Sequence, residues 1–212
     1  MHALTISRLS KRYGYKTVLD IPAHQFCEGV TWIQGRNGSG KSTLLKIMAG
    51  LLAYEGDVIL GGLNLRKQPM AYRRRIAFAE SEPRFPAFMT GLDLVGLFMR
   101  AKRGNTARKQ KFIAEFGMAD YLSFPVQEYS AGMVKKLSLL LAFLDDSHYI
   151  LLDEPCITLD EQAINSLSLW VEERRLQGTS FVLTSHQAFP PGISIQEQWL
   201  LLDGGLHPAA AL

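Results

Sequence analysis

Eight consecutive residues carry the first chemical signal. Gly35, Arg36, Asn37, Gly38, Ser39, Gly40, Lys41 and Ser42 follow G-x-x-x-x-G-K-[ST] without departure, between the apolar run Val30 to Gln34 and a helical pattern over Thr43 to Leu51. Glycines let such a loop curl until successive backbone N–H groups face one centre, and the helix behind it adds the positive end of its dipole. Lys41 is long enough to reach the outer phosphates of a nucleotide, and Ser42 offers a hydroxyl to Mg²⁺. The plain alternative is a glycine turn that merely opens a helix.

A second signal lies far along the chain. Tyr149, Ile150, Leu151 and Leu152 form an apolar run that ends in Asp153, Glu154 and Pro155. A buried strand that ends in two carboxylates is costly unless a cation or donors offset them. Asp153 suits a water-mediated hold on Mg²⁺, and Glu154 suits orienting and deprotonating an attacking water. An ordinary strand-end acid pair is the competing reading. A third run, Phe181 to Thr184, ends at Ser185 and His186.

These residues work together only if something brings them to one place. Strand-like and helix-like segments alternate around glycine turns, which predicts an α/β fold with a parallel sheet covered by helices. Ligands of such sheets bind beyond the carboxyl ends of the strands, where all three runs end in polar groups. The first 30 residues alternate apolar positions (Leu4, Ile6, then Val18, Leu19, Ile21) and predict a small β layer, joined by Val58 to Leu60. Residues 83–146 read as helical, with Thr90 capping a helix through Ala101, Thr106 another through Phe116 and Ser130 a third through Leu144. The expected organisation is one domain, with residues 1–82 and 147–212 as the core and 83–146 as an inserted helical subdomain.

Composition narrows the classes. The chain has 212 residues, 47% hydrophobic and 20% charged, a packed rather than a disordered protein. Its longest nearly apolar stretch, Leu137 to Leu144, is far short of the ~20 residues a spanning helix needs. The first residues, Met1 to Thr5, lack a basic lead and an apolar run, so a cytoplasmic address is expected, and the Ala-rich tail after Pro208 is expected to fray. Cys27 and Cys156 lack metal-ligand spacing and read as packed thiols. The net charge of +3 hides an asymmetry: residues 1–111 hold 19 Lys and Arg against 7 Asp and Glu, and residues 112–212 hold 4 against 13. Basic runs at 66–75 and 100–111 read as a solvated face, with anionic lipid or RNA as the alternative.

Further residues, in a fixed order, make the chain resemble the ATP-binding cassette family. Ser130, Ala131, Gly132 and Met133 resemble its L-S-G-G-Q signature, 23 positions before Asp153; Asp160 stands at its D-loop; His186 at its switch histidine; and Tyr13 at its adenine-stacking aromatic. The resemblance implies a P-loop NTPase (RecA-like) parallel sheet with an antiparallel β subdomain and a helical insertion. It implies ATP and Mg²⁺ as ligands, held by Tyr13, Gly35 to Thr43, Ser130, Gly132 and Asp160, with Ser42, Asp153 and Ser81 toward the metal. Lys41, Glu154 and His186 would then catalyse hydrolysis. Two copies of the chain, or this chain and a paralogous ATPase subunit, would sandwich the nucleotide head to tail. A separate transmembrane permease would place the pair on the inner face of the cell membrane, and no nucleic acid is expected.

The pattern departs from the family at two places. Ser81 stands where the family has a metal-reading glutamine, leaving Glu80 or Glu82 as substitutes, and Tyr129, Ala131 and Met133 replace signature residues. Two other functions are therefore carried alongside: a soluble cassette acting on RNA, the ribosome or DNA, and a nucleotide-sensing scaffold with little turnover.

Overall fold

The motifs can meet only if the apolar runs that precede them lie side by side with their ends level. A computed structural model of the chain describes residues 3–187, 189 and 192–209. The expectations for Met1, His2 and the tail residues 210–212 lie outside the described residues. The three runs become β3 (Val30–Gln34), β7 (Tyr149–Asp153) and β8 (Ser180–Ser185). Every residue of β7 and β8 is buried, as expected of strands covered on both faces. They are adjacent in the order β3-β8-β7 and parallel, with Gln34 opposite Ser185 and Thr184 opposite Asp153. Both acids, the strand end before His186 and the phosphate loop therefore leave one sheet edge together.

That sheet is completed by β6 (Ile76–Ala79) beside β7, by β9 (Glu197–Leu202) parallel to β3, and by β10 (Gly205–Pro208) antiparallel at the margin. A second, antiparallel sheet has the order β2-β1-β4-β5, made of β1 (Leu4–Tyr13), β2 (Lys16–Phe26), β4 (Glu55–Leu60) and β5 (Leu63–Asn64). Its alternating apolar residues (Leu4, Ile6, Leu9, Leu19, Ile21, Val58, Leu60) are buried against α1 (Lys41–Met48) and the parallel sheet, in one apolar cluster with Leu44, Leu45, Ile33 and Val182. The β layer expected of the first 30 residues is present, including Val58 to Leu60.

A short α2 (Pro69–Arg73) leads into β6, and the other sheet face is covered by the helices of residues 83–146 together with α6 (Glu161–Leu176). Helix α3 (Gly91–Lys102) begins at a reciprocal capping box between Thr90 and Asp93. Helix α5 (Ala131–Phe143) begins at Ser130, whose Oγ accepts from the Met133 N–H at 3.2 Å. Between them, α4 (Thr106–Glu115) corrects the expected cap. Asn105, not Thr106, closes this helix, because its side-chain oxygen accepts from the Arg108 N–H and Thr106 is already helical. Phe112 stacks on Phe116 at 4.0 Å and meets Trp170 of α6 edge-on at 4.8 Å, so these helices share one core with the sheet.

The charge asymmetry is partly resolved by folding. Lys102 lies 3.2 Å from Asp145, Arg108 2.8 Å from Asp146 and Lys111 2.5 Å from Glu173, pairing the basic run with acids of the other half. The exposed Lys111–Glu173 pair adds at most about 1 kcal/mol, whereas Asp145 is buried and its desolvation offsets part of the attraction to Lys102. Both cysteines are free and partly buried, and burial pushes the Cys156 thiol up to about 11, which keeps it protonated at neutral pH. Among the described residues no helix is long and apolar enough to cross a membrane.

Candidate active site

A cavity of about 490 Å³ opens at the sheet edge where β3, β7 and β8 end. It is lined by Asn37, Gly38, Gly40, Lys41, Ser42 and Thr43 from the loop and α1, by Glu154 and His186 from the strand ends, by Ser81 and Glu82 after β6, and by Tyr13. The loop turns into α1 through Gly40, at φ +106°, a left-handed conformation that a side chain would strain. Gly35, Arg36 and Ser39 of the motif do not line this cavity. Gly35 instead contributes its carbonyl, which accepts from Lys41 Nζ at 2.7 Å, while Arg36 and Ser39 border a neighbouring depression beside β9.

Lys41, Glu154 and His186 form a chain of contacts. Lys41 Nζ lies 3.5 Å from Glu154 Oε1, and His186 Nδ1 lies 3.1 Å from Glu154 Oε2. An ionised carboxylate can only accept, so Nδ1 carries the proton in that contact. Lys41 and Glu154 are both buried, which strengthens their attraction by excluding water. Glu154 has φ 45°, the left-handed region uncommon for residues other than glycine, and such conformations gather where the fold holds a functional group in place.

Asp153 is fully buried and does not line the cavity. Its Oδ1 accepts from the Thr184 hydroxyl at 2.6 Å, and its Oδ2 has no hydrogen-bond partner. The same Thr184 hydroxyl lies 3.3 Å from the Glu154 N–H, so one side chain holds both acids. A buried carboxylate oxygen without a donor fits a place beside a cation or its water. Among the described residues no cluster of three His, Cys, Asp or Glu side chains could ligate an ion unaided. Mg²⁺ binds through one or two protein groups and takes its other ligands from water and phosphates.

Thr184 was not singled out from the sequence, where it reads as one more residue of a buried strand. Thr184→Val keeps the shape and removes the hydroxyl. It is expected to cost about 1–3 kcal/mol for the donors and acceptors left unpaired. At about 2–4 °C per kcal/mol, thermal unfolding would show the loss directly.

Lys135 was also missed, since a lysine on a helix usually points to water. It is 1% exposed and donates to the carbonyls of Glu80 at 2.8 Å, Ser81 at 3.3 Å and Asp153 at 3.0 Å. Burial lowers its pKa to about 8 against the opposing pull of Asp153 and neighbouring acids. Glu80 itself pairs with Lys46 at 2.8 Å and does not line the cavity, which leaves Glu82 as the acid beside Ser81 at the cavity wall.

The signature residues stand apart from this cavity. Ser130 is exposed at the tip of α5, and Met133 fills the capping-box role with its sulfur 3.4 Å from the Ser130 N–H. A Cβ on Gly132 would come within 2.8 Å of the Thr158 carbonyl, so only glycine fits there. Asp160 caps α6, accepting from the Ala163 N–H at 2.7 Å, and pairs with Lys136 at 2.9 Å; those two partners hold its carboxyl below the usual range. Tyr13 is half-exposed at the cavity rim, with the Lys11 ammonium 4.8 Å from its ring centroid.

Comparison with known proteins gives the same frame a family. Residues 25–157 match the family model described as ABC transporter. The chain is 30% identical over 159 residues to the cytochrome c biogenesis ATP-binding export protein CcmA of Escherichia coli O6:H1, covering 74% of this chain and 76% of that protein. It is 28% identical over 181 residues to the CcmA protein of Salmonella typhi, covering 84% and 87%. A solved structure titled as the ATP binding subunit of an ABC transporter superposes with a TM-score of 0.85 at 24% identity, covering 98% of this chain and 90% of that one. A putative cobalt transport ATP-binding protein does so at 0.82 and 22%, covering 97% and 79%. The unbroken phosphate loop, the acid pair at the same sheet edge one strand removed from it and the family match over residues 25–157 lead to one conclusion: this chain belongs to the ABC transporter family, as an ATP-binding, ATP-hydrolysing subunit.

Proposed function

We propose that the chain drives a membrane transporter by closing head to tail on a second copy, or on a paralogous subunit, with ATP between them. One observation carries this reading: Ser130 and the N-terminus of α5 are exposed and lie outside the cavity that gathers Lys41, Glu154 and His186. A capped helix N-terminus offers a hydroxyl, free N–H groups and a favourable dipole to an anion. Exposed and outside the cavity of its own chain, it would be available to the γ-phosphate held by another copy. In this reading Lys41 and the loop N–H groups hold the phosphates, Tyr13 supports adenine, Glu154 takes a proton from water, and His186 keeps that carboxylate oriented. Ser42 and Asp153 would hold Mg²⁺, with Ser81 beside them, and the ion would neutralise phosphate charge.

Residues 83–146 would act as the helical subdomain that passes closure on to a separate transmembrane permease, placing the pair on the inner face of the cell membrane. The likeness to export proteins of cytochrome c biogenesis supports export as the direction of transport.

A mixed cross-link tests the arrangement. With Cys27 and Cys156 replaced by serine, one copy carrying Ser130→Cys and another carrying Asn37→Cys are expected to join through a short bifunctional reagent only when ATP is present. Cross-linking that ignores ATP, or none between copies, would refute the head-to-tail sandwich. Purification of the chain from membranes should bring the permease with it.

A further inference from the structure

Lys135 sits one and a half turns beyond Ser130 on α5, yet its ammonium ends among the backbone of the catalytic edge. An ammonium has three donors and no acceptor, and here the three are directed at Glu80 O, Ser81 O and Asp153 O. These carbonyls belong to two segments, the loop that leaves β6 and the end of β7. Their strands are paired side by side, with Ala79 opposite Leu152. One side chain thus fastens the helix that carries Ser130 to the Ser81 loop and to the residue before Glu154. Its positive charge also lies beside the buried Asp153, which has an unpartnered oxygen.

Ser81 gives the fastening its importance. Its side chain is short, and beyond the end of the β6–β7 pairing it is Lys135 that bridges the backbone of this loop to that of Asp153. We propose that Lys135 is a positioning residue for hydrolysis: it couples the Ser130-bearing helix to the Ser81 loop and to the Asp153–Glu154 edge, so that these parts shift as one. The proposal rests on hydrolysis at this site, but Lys135 touches no nucleotide-facing atom of the phosphate loop. Its effect therefore falls on turnover and not on ATP affinity.

Lys135→Met is the test, read per active site after titration with a fluorescent ATP analogue. Turnover is expected to fall at least about tenfold, the value of about 1.4 kcal/mol in the barrier. The KM for ATP should stay within about twofold. Hydrogen exchange of the full chain without nucleotide supplies a readout independent of catalysis: amides 81–82 and 154 should exchange at least about tenfold faster, with α1 unchanged. If Lys135→Met does not fold, Lys135→Gln is measured in the same way, since its shorter amide keeps two donors but loses the charge and at least one of the three contacts. Wild-type turnover per bound nucleotide, a KM that rises in step with the fall in kcat, or unchanged exchange at 81–82 would overturn the proposal.

Discussion

Glu154→Gln is expected to stop phosphate release while leaving ATP bound. The amide has the size of the carboxylate: its oxygen can still accept from Lys41, and its NH₂ can donate to His186 Nδ1 once that imidazole takes the other tautomer, so the cavity should retain its shape. What it loses is the capacity to accept a proton from water. General-base catalysis contributes about 10²–10⁴-fold, and a fall of that size in turnover is the expected result. Because ATP would bind without being consumed, the closed pair should accumulate, and size-exclusion chromatography with ATP should show a dimer for the variant. Phosphate release above about a tenth of wild type would assign the base elsewhere, with Glu82 at the cavity wall as the next acid.

The second large effect is expected from Lys41→Ala, and it should fall on affinity as well as rate. Lys41 is 6% exposed, with its ammonium held between the carbonyls of Gly35 and Arg36 and the Glu154 carboxylate. The substitution removes the loop's only cation that lines the cavity, because Arg36 borders the neighbouring depression instead. A charge-assisted contact is worth about 1.5–3 kcal/mol, or roughly 10–150-fold in the dissociation constant for ATP. It also leaves Glu154 buried without its cation, which adds a stability cost of its own. Titration with a fluorescent ATP analogue and thermal unfolding separate the two effects. Affinity within about threefold of wild type would show that the loop N–H groups carry the grip alone.

Together the two variants divide the site. Glu154 is expected to govern chemistry with binding intact, and Lys41 to govern both. Lys135→Met should resemble the first pattern in milder form. A nucleotide-sensing scaffold would show ATP binding in the wild type, Glu154→Gln and Lys135→Met and turnover in none of them.

Much of this was legible in the chain because the signals are local. The phosphate loop is eight consecutive residues, and backbone geometry at glycines and the start of a helix follow from neighbours in sequence. The three apolar runs announced β3, β7 and β8, since a strand buried on both faces is an unbroken apolar segment. The α/β class and the β layer followed from the same periodicity. Other features were hidden because their cause lies far away along the chain. Strand β9 and the edge strand β10 are partly exposed and mix Glu197, Gln198 and His207 with apolar residues, so no clean period marks them. Asn105 took the cap from Thr106 because either residue type suits that place, and only the turn of the backbone chose between them.

Sequence by itself determined which groups are available: a lysine on a glycine loop, two acids at a strand end, a histidine after a buried run, a serine opening a helix. Tertiary structure alone decided who meets whom. Thr184 reaches Asp153 across 31 positions and Lys135 reaches Glu80 across 55, distances over which local pattern carries no information. Strand register placed Thr184 opposite Asp153, and the run of α5 turned Ser130 outward while burying Lys135 five residues later. The physical reason is that short-range sterics and hydrogen bonding fix the elements, whereas burial fixes their pairing. A buried polar side chain must then satisfy its donors with whatever backbone the packing brings within reach.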